Sequence, residues 1–249
     1  MSVVSVAKDA GVLELRSVSK VFGSGELEVR ALREVDLKVA AGELVALMGP
    51  SGCGKSTLLH IAGGLEPPSS GRVLVNGTDI ESLSLNARAR VRRTDVGFVF
   101  QRLNLIPSLT ALENVILPLE LDGVAKRPAR EQAEAALVAV GVPQPWDRYP
   151  DDFSGGQQQR LAIARAVVGE RKVILADEPT GSLDTVNADQ VIELLAGLTV
   201  TTGAAVVLVT HEPRFASWAD RVVFMRDGVV VDETVSAGVV DPVVAGARR

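Results

Sequence analysis

The chain has 249 residues, with 26 Lys+Arg against 31 Asp+Glu for a formal charge of −5, and is 47% hydrophobic and 23% charged. That balance belongs to a globular protein long enough to bury a core, and it excludes disordered, collagen-like and coiled-coil chains. A pI near 5.2 argues against a nucleic-acid partner, whose affinity would rest largely on cationic contacts to phosphate, and the single Cys53 forms no internal disulfide of the kind that staples secreted domains.

Met1 to Ala10 carries Lys8 and Asp9 and lacks the apolar run of a signal peptide. No stretch approaches the roughly 18–20 apolar residues of a membrane span, so a cytosolic chain with no span of its own is expected. Val35, Leu37 and Val39 alternate with polar residues, as do Val73 and Val75, the pattern of half-exposed antiparallel strands. Between them Leu44 to Met48 is continuously apolar, followed by Gly-rich punctuation and a helical stretch, Ser56 to Ala62. The middle, from about Leu103 to Ala166, reads as mostly helical, with Ala133, Leu137 and Val140 on one face and Pro118, Pro128 and Pro143 as punctuation. Val173 to Ala176 and Ala204 to Val209 are apolar runs flanking a helical pattern, Asn187 to Leu198, which is a βαβ rhythm. Arg221 to Arg226 and Val229 to Glu233 flank Asp227-Gly228, a two-residue hairpin signal. The expected fold is an α/β core with an antiparallel sheet early and a helical insertion in the middle.

Gly49-Pro50-Ser51-Gly52-Cys53-Gly54-Lys55-Ser56 fits the phosphate-binding P-loop, in the strand–loop–helix context that its chemistry needs. Glycines let the backbone wrap so that several N–H groups face the phosphates, and the helix N-terminus adds partial positive charge. Lys55 would reach the β- and γ-phosphates, the Ser56 hydroxyl would ligate Mg²⁺, and Thr57 adds a phosphate contact. Val173 to Ala176 runs into Asp177-Glu178, which puts two carboxylates at the C-terminal edge of a parallel sheet. Asp177 suits the Mg²⁺ shell, and Glu178 could polarise an attacking water. Either feature alone could be a turn or a cap; together they indicate a nucleoside triphosphatase. Ser154-Gly155-Gly156-Gln157 before a helix is a second anion-receptive N-terminus, or an ordinary N-cap. Gln101 and His211 each follow an apolar run, where a lone polar residue is commonly structural. Cys53 suits a small, tolerated loop position, and Arg88, Arg90, Arg92 and Arg93 a solvated helix face.

Gly49–Thr57, Gln101, Ser154–Gln157, Asp177–Glu178, Ser182-Leu183-Asp184 and His211 stand in the order and approximate spacing of the ABC-transporter ATPase subunit, which the chain resembles over about residues 12–235. The resemblance implies a P-loop NTPase (RecA-like) core with an N-terminal antiparallel β subdomain and a helical subdomain inserted at residues 103–166. It implies ATP and Mg²⁺ as ligands, with Phe22 stacking on adenine where the family more often has Tyr. It implies that Gln101 senses Mg²⁺ and the attacking water and links to the membrane subunit. Ser154, Gly155, Gly156 and Gln157 would clamp the γ-phosphate of ATP on the other copy, Asp184 would cross the dimer interface, and His211 would contact the γ-phosphate. Phe153 stands where the family usually has Leu. Phe98-Val99-Phe100-Gln101, Asn104-Leu105-Ile106-Pro107, Leu109 to Val115 and Gln157 to Gln159 are similar to ATPases of the lipoprotein-release, macrolide-efflux and cell-division type.

The resemblance therefore implies a homodimer around two ATP, driving a separate integral membrane permease from the inner face of the cell membrane. The alternative is an ATPase that signals through a membrane partner, as the cell-division type does. A soluble DNA-repair or translation ATPase is disfavoured by the single ATPase unit and the acidic chain. A guanine-nucleotide switch is disfavoured because Asn76-Gly77-Thr78-Asp79 lacks the lysine of the base-reading motif.

Overall fold

The computed structural model describes residues 11–235; Met1 to Ala10, where no signal peptide is expected, and residues 236–249 lie outside the described residues. In chain order the elements are β1 (Gly11–Phe22), β2 (Val29–Ala40), β3 (Leu44–Met48), α1 (Lys55–Ala62), β4 (Ser70–Val75), β5 (Thr78–Asp79), α2 (Leu85–Thr94) and β6 (Val96–Val99). Then follow α3 (Ala111–Leu121), α4 (Lys126–Ala139), α5 (Gly155–Val167), β7 (Val173–Asp177), α6 (Thr185–Thr202), β8 (Ala205–Val209), α7 (Pro213–Ala216), β9 (Arg221–Arg226) and β10 (Val229–Val235).

Among the described residues the strands form two sheets. One runs β2-β1-β4-β5 and is antiparallel; the other runs β10-β9-β3-β8-β7-β6 and is parallel from β9 to β6. Both kinds match the patterns in the sequence: alternation in the first sheet, continuous apolar runs in the second. The side-chain period of two splits those runs between two cores. Val45, Leu47, Val173, Leu175, Val207 and Val209 pack with α1 and the antiparallel sheet, whereas Leu44, Ala46, Ile174, Ala176, Val206 and Leu208 pack with the helices of the other face. Each fully buried Val or Leu contributes about 1.5–3 kcal/mol, so both faces resist any slip in register. The Asp227-Gly228 turn closes the predicted hairpin of β9 and β10.

Two local readings change. Pro118 lies inside α3 rather than at its edge. Pro removes one helical hydrogen bond at a cost of about 3 kcal/mol, but Ala111, Leu112, Val115 and Leu119 are buried along that helix and outweigh it. The capping box of α3 supports the start: Glu113 N–H donates to Thr110 Oγ1 at 3.2 Å, and Thr110 N–H to Glu113 Oε2 at 2.8 Å. The basic run is only partly solvated: Arg88 donates to the Ile80 carbonyl at 3.1 Å and Arg92 to the Gly64 carbonyl at 3.0 Å, so α2 is tied down by its own arginines.

Candidate active site

Register delivers the site. Leu47 pairs with Val209, Val209 with Asp177, and Ala176 with Val99, so β3, β8, β7 and β6 end together. The residues just beyond those ends are the P-loop, His211, Glu178 and Gln101. Ligands bind at this edge of parallel sheets because helix N-termini and loop amides converge there.

The P-loop wraps from Gly49 to Gly54 between β3 and α1. Gly54 caps α1 with φ of 107°, and a Cβ there would stand 2.5 Å from the Ala31 carbonyl oxygen of β2. Left-handed conformation and close backbone approach both demand glycine. Gly54→Ala is expected to lower stability by about 1–3 kcal/mol and to weaken nucleotide binding, read by the urea midpoint and by nucleotide titration. The Asp227-Gly228 turn braces the loop: Gly228 N–H donates to the Cys53 carbonyl at 3.0 Å, and Arg33 N–H to the Gly228 carbonyl at 2.8 Å. Cys53 is buried beneath it. Lys55 is buried, and its ammonium donates to the Gly49 and Pro50 carbonyls at 2.8 and 2.9 Å, which holds the charge inside the loop's curve.

Ser56 Oγ donates to Asp177 Oδ1 at 3.1 Å. Burial raises the Asp177 pKa, and the Ser56 hydrogen bond works against that rise. Glu178 takes φ of 45°, a left-handed backbone that is uncommon for Glu and marks stored strain. Its Oε2 accepts from Gln101 Nε2 at 3.1 Å, and its Oε1 lies 3.6 Å from His211 Nδ1.

A cleft of about 550 Å³ opens beside Glu178 and the P-loop, lined by Ser51, Gly52, Gly54, Lys55, Ser56, Thr57, Gln101 and Glu178, while Asp177 and His211 are not among its lining residues. Its further wall is one that sequence reasoning missed: Val29, Arg30, Ala31 and Arg33 of β2, with Asp227 and Gly228. The arginines gave no local signal, since they occupy ordinary outward positions of a strand, although the hairpin turn itself was legible. Phe22 pairs with Val29 across β1 and β2, at the rim; it is 37% exposed, and Lys20 Nζ stands 4.9 Å from its ring centroid.

Ser154, Gly155, Gly156, Gln157 and Asp184 do not line this cleft. Ser154 caps α5, accepting nothing from the cleft; its own N–H donates to Gln157 Oε1 at 3.0 Å. Gly155 and Gly156 are the first helical residues rather than a preceding loop, and a Cβ on Gly156 would stand 2.7 Å from Asn187 Oδ1 of α6. Asp184 caps α6, and hydrogen bonds from the Asn187 backbone and side chain hold its carboxyl below the usual range. Ser154, Gly155 and Asp184 are exposed, whereas Gly156 is buried at the start of α5, and none of them lines the cleft over the phosphate loop.

Comparison with known proteins gives the arrangement its context. Residues 32–181 match the family described as ABC transporter. An ABC transporter ATP-binding protein of Methanocaldococcus jannaschii is 45% identical over 89% of this chain and 98% of its own length. The lipoprotein-releasing system ATP-binding protein LolD of Shewanella denitrificans is 44% identical over 88% of this chain and 94% of its own. The macrolide export ATP-binding/permease protein MacB of Syntrophobacter fumaroxidans is 42% identical over 91% of this chain, which spans 32% of that longer protein. An ATP-binding cassette solved as a dimer in a post-hydrolysis state, bound to ADP and Pi, superposes with a TM-score of 0.84 at 39% identity, covering 91% of this chain and 100% of that one. With the family matched over residues 32–181, relatives 44–45% identical along nearly their whole length and the fold shared with a solved cassette, the chain belongs to the ABC transporter family and is one of its ATP-binding, ATP-hydrolysing subunits.

Proposed function

We propose that two copies of the chain close around two ATP molecules, hydrolyse them with Mg²⁺, and drive a separate integral membrane permease of the export or lipoprotein-release type. The observation that carries this reading is the division of the ATP-contacting motifs. Lys55, Ser56, Gln101 and Glu178 line one cleft, whereas Ser154–Gln157 and Asp184 do not, and a cassette 39% identical to this chain was solved as a dimer bound to ADP and Pi, so we assign the second group to the site of another copy. The cassette unit spans residues 12–235, with the helical subdomain at 103–166 inserted within it. Among the described residues no helix is long and apolar enough to cross a membrane; attachment to the inner face of the cell membrane would come through the permease. The LolD likeness, which runs the length of that protein, supports the lipoprotein-release type.

Ser56 and Asp177 offer a hydroxyl and a carboxylate, hard oxygen donors that suit Mg²⁺ sharing its remaining ligands with phosphate and water. No group of three or more His, Cys, Asp and Glu among the described residues could hold a metal by itself, in keeping with a cation that arrives with nucleotide. Bound there, Mg²⁺ would neutralise charge on the β- and γ-phosphates. Lys55 binds the same phosphates, and the P-loop amides orient them. Glu178 takes the proton of the attacking water, Gln101 holds its carboxylate in place, and His211 contacts the γ-phosphate. Phe22 offers one ring face to adenine while Lys20 covers the other. Ser154, Gly155, Gly156 and Gln157 of the second copy close over the γ-phosphate, with Asp184 beside them across the interface.

A complementation assay tests the composite site. Ser154→Arg and Lys55→Ala should each be inactive alone, the first because a bulky cation blocks the partner's phosphate. Mixed, they can assemble at most one intact site per dimer, so activity should return in part. Full turnover and ATP-dependent dimerisation by Ser154→Arg alone would refute the arrangement.

A further inference from the structure

Arg165 lies on α5, about 16 Å along the helix from Ser154 at 1.5 Å per residue. Its Nη1 donates to the Asn104 carbonyl at 2.6 Å, and its Nη2 to the Leu103 carbonyl at 2.8 Å. Consecutive carbonyls of an extended chain point to opposite sides. These two converge because Asn104 takes φ of 50°, a left-handed conformation that turns successive carbonyls the same way and that Asn tolerates better than most residues. Burial lowers the guanidinium pKa, and a cation so desolvated depends on the acceptors it has. The gripped segment follows Gln101, whose amide donates to Glu178.

We propose that Arg165 is a positioning residue for ATP hydrolysis: by forking across the Leu103 and Asn104 carbonyls, it fixes the Gln101 amide against Glu178 and makes the Gln101 segment move with the helix that begins at Ser154. The inference rests on the assignment of Gln101 and Glu178 to the hydrolytic centre. The planar guanidinium meets two carbonyls at once; a lysine ammonium is a point charge on a flexible stem and cannot reproduce that fork. Misplacing a group near the chemistry by about 1 Å costs up to 10²-fold in rate, so a grip outside the cleft can govern turnover.

The test uses the full chain and two independent ways to break the grip. Arg165→Met removes the fork. Asn104→Val keeps Arg165 but disfavours the left-handed backbone, whereas Asn104→Gly adopts it freely. Arg165→Met and Asn104→Val should each lower kcat about ten- to hundredfold with KM for ATP within about twofold. Asn104→Gly should turn over like wild type, and Arg165→Lys should fall between. Adding Arg165→Met to Gln101→Ala should slow hydrolysis no further, because both act through one amide. A folded Arg165→Met with wild-type kcat, or losses that multiply in the double variant, would overturn the proposal. Should Arg165→Met not fold, Asn104→Val decides: wild-type kcat there overturns it equally. Wild-type turnover by Gln101→Ala would instead strike the assignment of Gln101, and the proposal with it. Impaired Gln101→Ala beside an unimpaired Arg165→Met strikes the proposal alone.

Discussion

Glu178→Gln is expected to slow ATP hydrolysis about 10²- to 10⁴-fold, roughly 2.7–5.4 kcal/mol of barrier, the usual loss when a positioned general base is removed. Gln keeps the size of Glu and can still pair with Gln101, whose Nε2 now donates to Glu178 Oε2 at 3.1 Å, but it accepts no proton from water. The substitution also removes a negative charge from the mouth of the phosphate cleft, so ATP affinity should hold or improve. The left-handed backbone at Glu178 is anchored by its N–H, which donates to the Val209 carbonyl at 3.2 Å, and Gln asks no more of it than Glu does. The variant should therefore remain folded and accumulate as an ATP-bound dimer. Size-exclusion chromatography with Mg²⁺-ATP would show twice the monomer mass, reverting when nucleotide is withdrawn, while phosphate release measures the lost rate. Near-wild-type turnover would remove Glu178 as the base and turn attention to Asp177.

Lys55→Ala is expected to cost about 10²- to 10³-fold in turnover, the scale of losing one preorganised charge-stabilising donor. The ammonium is buried and holds the Gly49 and Pro50 carbonyls, so its removal leaves two acceptors and the incoming polyphosphate without their cation. Nucleotide binding should suffer as well as chemistry. Wild type in ATP at about 100 times Kd gains about 2.7 kcal/mol of stability by mass action, and this should largely vanish in the variant. Thermal melts with and without Mg²⁺-ATP measure that difference, and melts without nucleotide verify that the variant is folded. Equal ATP-induced stabilisation in both proteins would remove Lys55 from the phosphate site.

Much of the site could be read along the chain, because its chemistry is written in short runs. A Gly-rich loop followed by Lys and Ser, a strand ending in two carboxylates, and a serine three residues before a glutamine each depend on backbone geometry within one turn. Several strands were legible, through alternation in Val35 to Val39 and continuity in Val173 to Ala176, whereas β1 (Gly11–Phe22) was not read as one. Pro118 was misleading, since a local rule against proline in helices is outweighed when the helix buries Ala111, Leu112, Val115 and Leu119. The arginines of α2 were misleading as well, since their partners, such as the carbonyls of Ile80 and Gly64, become neighbours only in the folded chain.

What the sequence by itself determined was the strand–loop–helix of the phosphate loop, the strand ending in Asp177-Glu178 and the hairpin at Asp227-Gly228, all fixed by propensities and spacings that act over a few residues; the order of the strands within each sheet came from tertiary pairing. Tertiary structure alone decided that Gln101 and His211 meet at Glu178 and that β2 and the Asp227-Gly228 turn wall the cleft. The physical reason is register: parallel strands far apart in the chain align by burying both of their faces, and the polar residues at their ends go where that burial puts them.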